Sequence, residues 1–350
     1  MSSWLVTNLG YISVFPTKLR VTVRRKDGIN STRLRFNADN RKGNNFTKVT
    51  IPNGETVEVL EIQPQWLRVQ YSNISGWIQS KHVHLPAVTL NASWATQSDL
   101  KQGTEKRFVE YCQNKYGVQS KPLKDLPPCT KIWVEIIKKN KPAFLAIQEG
   151  IDNVSILNGY LPFYKIFTKS RTLTSGIKVT VHILVNELIA KDYTGSSHDI
   201  YKGTWEQFQK DRPIQIIWNT SGHYIINCHC PHSLTKSQIE KSIFNSLSFE
   251  QNLPNRPPIK RVTAFGDFND HANPPRLSSR RQGEISIGLK SMVLRSKGWD
   301  KTCCFPNFKM GGDFVLDTDY AEGHKILGDK RNPYSDHLGV TALIPCNHIF

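Results

Sequence analysis

Residues 259–269, Ile-Lys-Arg-Val-Thr-Ala-Phe-Gly-Asp-Phe-Asn, decide how this chain is read. Ile259–Phe265 reads as a strand, with Val262–Phe265 its apolar and β-branched part. It breaks at Gly266 into a carboxylate and an amide, Asp267 and Asn269, where a loop would expose them. Other segments repeat the design. Ala87–Asn91 ends in Thr89-Leu90-Asn91, Pro142–Ile147 in Gln148-Glu149, and Tyr224–Cys228 runs into His229. Ser335-Asp336-His337 stands just before the apolar run Val340–Ile344. Further strands are expected at Ile177–Val185, Ile214–Trp218 and Asp313–Leu316. Helices are expected at Gly103–Tyr116, Lys131–Lys138 and Gln238–Leu247. Each motif alone is weak. In this order, each beside a buried strand, they describe one layered αβ domain over residues 87–350 with polar side chains gathered at strand ends.

The residue types define a chemistry. Asn91, Glu149, Asp267 and Asp336 offer hard oxygen atoms, suited to Mg²⁺ or Mn²⁺ rather than zinc. His229 and His337 can move protons near neutral pH. A metal, a carboxylate-oriented histidine and amide donors are what in-line attack of water on a phosphodiester needs.

Residues 18–86 read differently. Leu19–Val23, Thr56–Ile62 and Trp66–Tyr71 alternate apolar and polar residues, Gly76–Ile78 closes the set, and Asn53-Gly54 and Ser75-Gly76 supply turns. This is a small β-barrel pattern. A polar, basic stretch, Arg33–Asn45, is expected as an exposed loop. Pro86 marks the expected boundary with the αβ domain, and residues 1–17 form a leading segment.

Charge points to a polyanionic partner. The 350 residues carry 46 Lys and Arg against 29 Asp and Glu, a net +17. Residues 1–50 hold ten Lys and Arg and two acids, nearly half of the excess. A second basic stretch runs from Arg276 to Lys301 and marks Arg276, Arg280 and Arg281 as candidate substrate contacts. Two separated basic surfaces fit nucleic acid, DNA or RNA; solubility and an anionic membrane surface are the competing readings. No stretch approaches ~20 apolar residues, so no membrane-spanning helix is expected. Residues 1–10 lack a basic start and a long apolar centre, so no secretory signal is expected. The seven scattered cysteines match neither a disulfide framework nor a CxxC pair. Reduced thiols in a cytoplasmic or nuclear setting are the expectation, and the Asn-, Lys- and Ile-rich character suggests a viral or intracellular-microbe origin.

Two resemblances rest on these motifs. Val21–Arg24, Gly54–Leu60, Trp66–Tyr71 and Gly76–Ile78 resemble a bacterial-type SH3 domain. The strand-end set TLN, IQE, GDFN and SDH resembles the endonuclease/exonuclease/phosphatase superfamily, the deoxyribonuclease I-like fold. The resemblance implies an α+β four-layer sandwich, preceded here by the SH3-like barrel, and a Mg²⁺- or Mn²⁺-dependent nuclease. It implies Asn91, Glu149 and Asp336 on the metal side. It implies Asp267 orienting or activating water, Asn269 holding the phosphate, and His337 oriented by Asp313. His229 would donate to the phosphate or leaving group from the other side.

Alternatives stay open. Trp94-Ala95-Thr96-Gln97 is a rival register for the first motif. His232 competes with His229, and Asp317 and Asp319 with Asp313. Tyr201 and His198 are further cleft candidates. Cys228, His229, Cys230 and His232 suggest a zinc knot, although strand alternation sends them to opposite faces. A phosphoesterase for inositol phosphates or phospholipids and an inactive binding protein on the same fold are the rival functions. Asp270-His271 follows Asn269 where the inositol branch has Tyr-Arg, and no Cys-Asp-Arg occurs. A protein partner for the barrel is the alternative to nucleic acid.

Overall fold

The computed structural model describes residues 19–40, 45–92, 114–115, 128–172, 178–195, 212–231, 234–269, 278–279, 282–288, 292–297, 301–331, 335–347 and 349–350. Most of the helix expected at 103–116 lies outside these, with Asn114 and Lys115 helical. So do the rival register at 94–97, His198, Tyr201, His232, Asp270, His271, Arg276, Arg280 and Arg281.

The amino-terminal strands are β1 (Arg20–Val23), β2 (Ser31–Arg35), β3 (Phe46–Pro52), β4 (Thr56–Gln63), β5 (Trp66–Tyr71) and β6 (Ile74–Gln79). Their alternation does what the pattern requires: Val57 and Val59 on β4 and Leu67 and Val69 on β5 point into a common core with Leu19, Val21 and Leu34. The Asn53-Gly54 turn uses the glycine at φ 94°, which a residue with a Cβ adopts only under strain. The stretch expected as a loop from Arg33 to Asn45 starts as strand. Arg33–Arg35 belong to β2, because Thr32 and Leu34 supply an inward face that the charged neighbours masked.

β7 (Val83–Asn91) leaves the barrel and enters the next unit without a break. Its first residues pair with β1, Val83 opposite Val23 and His84 opposite Thr22. Its last five pair in parallel with β8 (Phe144–Gln148), from Ala87 opposite Phe144 to Asn91 opposite Gln148. The boundary expected at Pro86 therefore lies inside a strand. β9 (Tyr164–Thr172) and β10 (Lys178–Asn186) extend this first sheet beyond β8.

A second sheet runs β11 (Tyr193–Gly195), β12 (Ile214–Asn219), β13 (His223–His229), β14 (Arg261–Asp267), then β15 (Ser278–Ser279), β16 (Gln282–Ser286), β17 (Val293–Lys297) and β18 (Asp313–Asp317), with β18 beside β14. β19 (Glu322–Leu327) and β20 (Gly339–Pro345) return to the first sheet, β20 lying along β7. The helices are α1 (Pro128–Asn140), α2 (Val154–Tyr160), α3 (Glu187–Ala190) and α4 (Lys236–Gln251).

Two parallel pairs position the functional groups. β7 and β8 are joined across α1, and β13 and β14 across α4, as parallel neighbours demand. α4 opens with a capping box, Thr235 accepting from the Gln238 backbone while the Gln238 side chain accepts from Thr235 N. Apolar side chains fill three regions. Phe144, Ala146, Ile183 and Val185 of the first sheet meet Ile217, Ile225, Phe265 and Val315 of the second, continuous with the barrel core. Ile239, Ile243 and Leu247 of α4 cover the other face of the second sheet, against Ile226, Val262 and Ala264. Val134 and Ile137 of α1 with Leu157 of α2 cover the other face of the first, against Val88, Leu145 and Ile147.

Candidate active site

Ligand sites in parallel sheets form at the carboxyl ends of the strands, and both parallel pairs here end at the same edge. Register sets Asn91 beside Gln148 and His229 beside Asp267. The antiparallel β18 adds its first residue, Asp313, opposite Asp267. A contact between sheets closes the set: Asn91 Nδ2 donates to Asp267 Oδ2 at 3.0 Å. Asp267 Oδ2 also lies 3.6 Å from His229 Nε2 and 3.6 Å from His337 Nε2. His229 Nε2 is 3.6 Å from Glu149 Oε1 as well. His337 Nδ1 meets Asp313 Oδ2 at 2.9 Å.

The backbone is bent to present these groups. Glu149 and Asn269, one and two residues past their strands, both sit in the left-handed region, at φ 48° and 50°. Such conformations cost of order 1–3 kcal/mol each and persist where the surroundings impose them. Around Glu149 the surroundings are tight. Gly150 N donates to Thr180 O at 2.8 Å, and a Cβ on Gly150 would stand 2.3 Å from His182 Cδ2. Gly266 shows the same close approach beside Asp267, where a Cβ would stand 2.2 Å from the Cys228 carbonyl oxygen.

Electrostatics divide the carboxylates. Burial pushes Asp267 up, but His337, His229, the Asn269 N–H (2.8 Å to Oδ1) and Asn91 outweigh it and hold the group near 2. Asp313 and Asp336 are raised by burial, which their attraction to His337 only partly offsets. His337 is held well above the ordinary histidine range: burial opposes its charge, and Asp267, Asp313 and Asp336 together overcome that. At neutral pH the site therefore holds an ionised Asp267 facing a charged His337, with Asp313 behind the ring.

Of the residues expected from the sequence, Asn91, Glu149, His229, Asp267, Asn269, Asp313, Asp336 and His337 come to this one edge, all nearly buried. Asn269 donates its Nδ2 to the Cys230 carbonyl here, and its backbone N–H, not its amide, reaches Asp267. Asp317 does not compete with Asp313. It lies four residues along β18, opposite Thr263, and pairs with Arg261 Nη2 at 2.9 Å. Cys228 and Cys230 turn their sulfurs away from His229 into the core under α4. The sulfurs of the adjacent Cys303 and Cys304 lie against each other. Cys228, Cys230 and Cys346 are buried and outside any disulfide.

Several groups that the sequence motifs contain without a stated role support the site. Gln148 Nε2 donates to Thr89 Oγ1 at 3.1 Å and to Asn227 Oδ1 at 2.6 Å, tying the two sheets beneath the site. Asn227 Nδ2 reaches the carbonyls of Ile147 and His182. Ser335 Oγ donates to Asn91 O at 2.6 Å and accepts from His337 N at 3.1 Å. The Thr302 hydroxyl, which accepts from Asp313 N at 3.3 Å, has no sequence signal at all.

Residues 47–84 match the family model of the bacterial SH3 domain. No curated protein matches the chain. Solved structures that match include truncated TDP2 of Caenorhabditis elegans, 15% identical over 75% of this chain and 97% of that one, with a TM-score of 0.41. They also include an endonuclease/exonuclease/phosphatase family protein from Bacteroides thetaiotaomicron, 11% identical over 75% and 94%, TM-score 0.44. A mannosyl-6-phosphatase of the same bacterium is 11% identical over 74% and 99%, TM-score 0.42.

Proposed function

We propose that the chain is a divalent-metal-dependent phosphodiesterase that hydrolyses nucleic acid, on a four-layer sandwich of the deoxyribonuclease I-like kind. The layering is supported by the helix-covered apolar face outside each sheet. The observation that carries the chemistry is the convergence on one oxygen, Asp267 Oδ2, of Asn91, His229 and His337 from two different sheets.

The donor set fits a hard cation. Glu149, Asp267, Asp313 and Asp336 crowd nearly buried around two histidines, and burial raises Asp336, a penalty that a bound cation reverses. Asn91, Glu149 and Asp336 would hold Mg²⁺ or Mn²⁺, which when bound supplies Lewis-acid charge to a phosphoryl oxygen. Asp267 is too weak a base to keep a proton, so its role is to accept a hydrogen bond from the attacking water and fix its line of approach. His337, kept charged by Asp313 and Asp267, offers Nε2–H to the phosphoryl group as negative charge develops. His229 stands on the other side of Asp267, placed to donate to a phosphate oxygen or to the leaving group. Asn269, held by its own backbone turn, borders the same space. The basic stretch with Arg276, Arg280 and Arg281 would contact the substrate.

Turnover measured with and without Mg²⁺ on supercoiled plasmid, single-stranded DNA and RNA, beside an inositol polyphosphate and a hexose phosphate, tests this reading. Metal-dependent cleavage of a nucleic acid, lost at least ~100-fold in Glu149→Gln, is expected. Preference for the phosphomonoesters would replace the nuclease reading with a phosphatase. Equal activity of the folded variant would remove the metal assignment.

A further inference from the structure

The outward face of the barrel carries a cluster that the active site does not use. Leu34 of β2 enters the core, which leaves Arg33 and Arg35 facing out. Antiparallel register sets Arg33 opposite Thr50 and Arg35 opposite Phe46 on β3. The Arg35 guanidinium lies 4.6 Å from the Phe46 ring centroid and 5.2 Å from that of Trp66, and Arg33 lies 5.8 Å from Phe46. Lys48, two residues from Phe46, is exposed on the same side of β3. Phe36, the first residue beyond β2, is 60% exposed, more than any other large apolar side chain among the described residues. Between residues 28 and 54 the sequence has a single acid, Asp39, whose backbone oxygen accepts a hydrogen bond from Arg35 Nη1.

A lone exposed phenylalanine is unremarkable on a surface. Here it follows directly on Arg35, whose guanidinium, like that of Arg33, lies over the Phe46 ring. Side chains two residues apart on a strand stand ~7 Å apart, comparable to successive phosphates of an extended single strand. Rings and guanidinium planes stack on unpaired bases and have nothing to stack on in a duplex. The geometry points to single-stranded nucleic acid as the occupant of the face formed by Arg33, Arg35, Phe46 and Lys48, with the exposed Phe36 at the end of β2 bordering it. This rests on the reading of nucleic acid as the substrate and adds to it a strand preference and a second contact surface remote from the chemistry.

The test uses the full chain in chelator, so that binding is read without hydrolysis. Fluorescence anisotropy follows a labelled 20-residue oligothymidylate and a labelled 20-base-pair duplex across a salt series. Arg33→Ala with Lys48→Ala should weaken oligothymidylate binding at least tenfold and flatten the log–log salt slope by about 1.4, two phosphate contacts at ~0.7 each. Phe36→Ala should weaken the single strand about tenfold and leave the duplex within twofold. Turnover of bis(4-nitrophenyl) phosphate with Mg²⁺ should stay unchanged in all of these variants, and circular dichroism should show them folded. Wild-type oligothymidylate affinity in the double variant overturns the proposal. Equal losses on single strand and duplex in Phe36→Ala overturn the stacking and with it the strand preference. Because binding is read in chelator, a failed hydrolase assay and a failed binding assay remain separate results.

Discussion

His337 and Asp313 form a dyad whose two members come from opposite directions: the ring stands beyond the Ser335 turn, ahead of the first sheet's last strand, and the carboxylate opens β18 of the second. They meet at 2.9 Å. Residues that act as a unit lose activity non-additively. His337→Ala and Asp313→Ala should each reduce turnover severely, and the double variant should be little worse than either. Single-turnover rates on one substrate decide it, and multiplicative losses would mean that the two act separately.

Gly150→Ala tests how Glu149 is held. The new Cβ would meet the His182 ring at 2.3 Å, and that ring is fixed by Thr168 Oγ1 at Nδ1 (2.9 Å) and by the Ile151 carbonyl at Nε2 (2.8 Å). The strand end must shift instead. A rise in the Mg²⁺ concentration needed for half-maximal activity is expected, with a stability loss of about 1–3 kcal/mol from overpacking.

Acid should unfold the protein early. Burial, aided by Lys26, Arg24 and Arg261, lowers His84 to about 3; burial lowers His182 and His324 to about 4. Each is neutral in the fold, whereas the unfolded chain takes up a proton near 6.5. Stability present above pH 6.5 is therefore lost as pH falls towards 4, by about 1 kcal/mol per histidine at pH 5.5. Neither ring nitrogen of His84 has a hydrogen-bond partner among the described residues. His84→Leu should thus reduce the acid slope by one proton without removing a hydrogen bond, as urea midpoints between pH 5 and 7 would report.

At the far ends of β14 and β18 from the site, Arg261 and Asp317 are fully buried together. Arg261 also donates to the carbonyls of Pro345 and Asn347, and Thr263 and His223 continue the network to Tyr193. Arg261→Leu leaves a carboxylate without its counter-charge and should cost about 3–5 kcal/mol. Asp317→Ala should do similar damage while leaving the pH–rate profile of the folded fraction unchanged, which separates it from Asp313→Ala.

Cutting the chain before residue 87 should not yield a stable fragment. Leu85 and Pro86 of β7 pair with Ile344 and Leu343 of β20, and the barrel core is continuous with the inter-sheet core. Soluble yield and thermal midpoint of residues 87–350 beside the full chain measure this; an unchanged midpoint would make the barrel separable.

The strand-end motifs are legible in the sequence because chemistry and burial change at one residue: Phe265 to Asp267, Ile147 to Glu149. Those two strands appear within two residues of their expected limits. Among the strands that escape the sequence, β9, β16, β17 and β19 have charged or hydroxyl-bearing residues at many positions and leave no apolar run to read. The choice of Asp313 over Asp317 is illegible for another reason. Both end the same short strand, and only the register against β14 tells which end meets Asp267. The joint expected at Pro86 falls within β7, where the Pro86 carbonyl accepts from Ala143 N at 2.7 Å and the strand runs on.

That strand also works as a gauge. Side chains on a strand alternate, so a slip of one residue would turn Asn91 from Asp267 to the opposite face. β7 is pinned at Val83 by β1, along its middle by β20 and at its end by β8. The barrel thus fixes, from the other end of the strand, which way the Asn91 amide points, and an insertion anywhere between Val83 and Asn91 would turn that amide and the strand's buried side chains together.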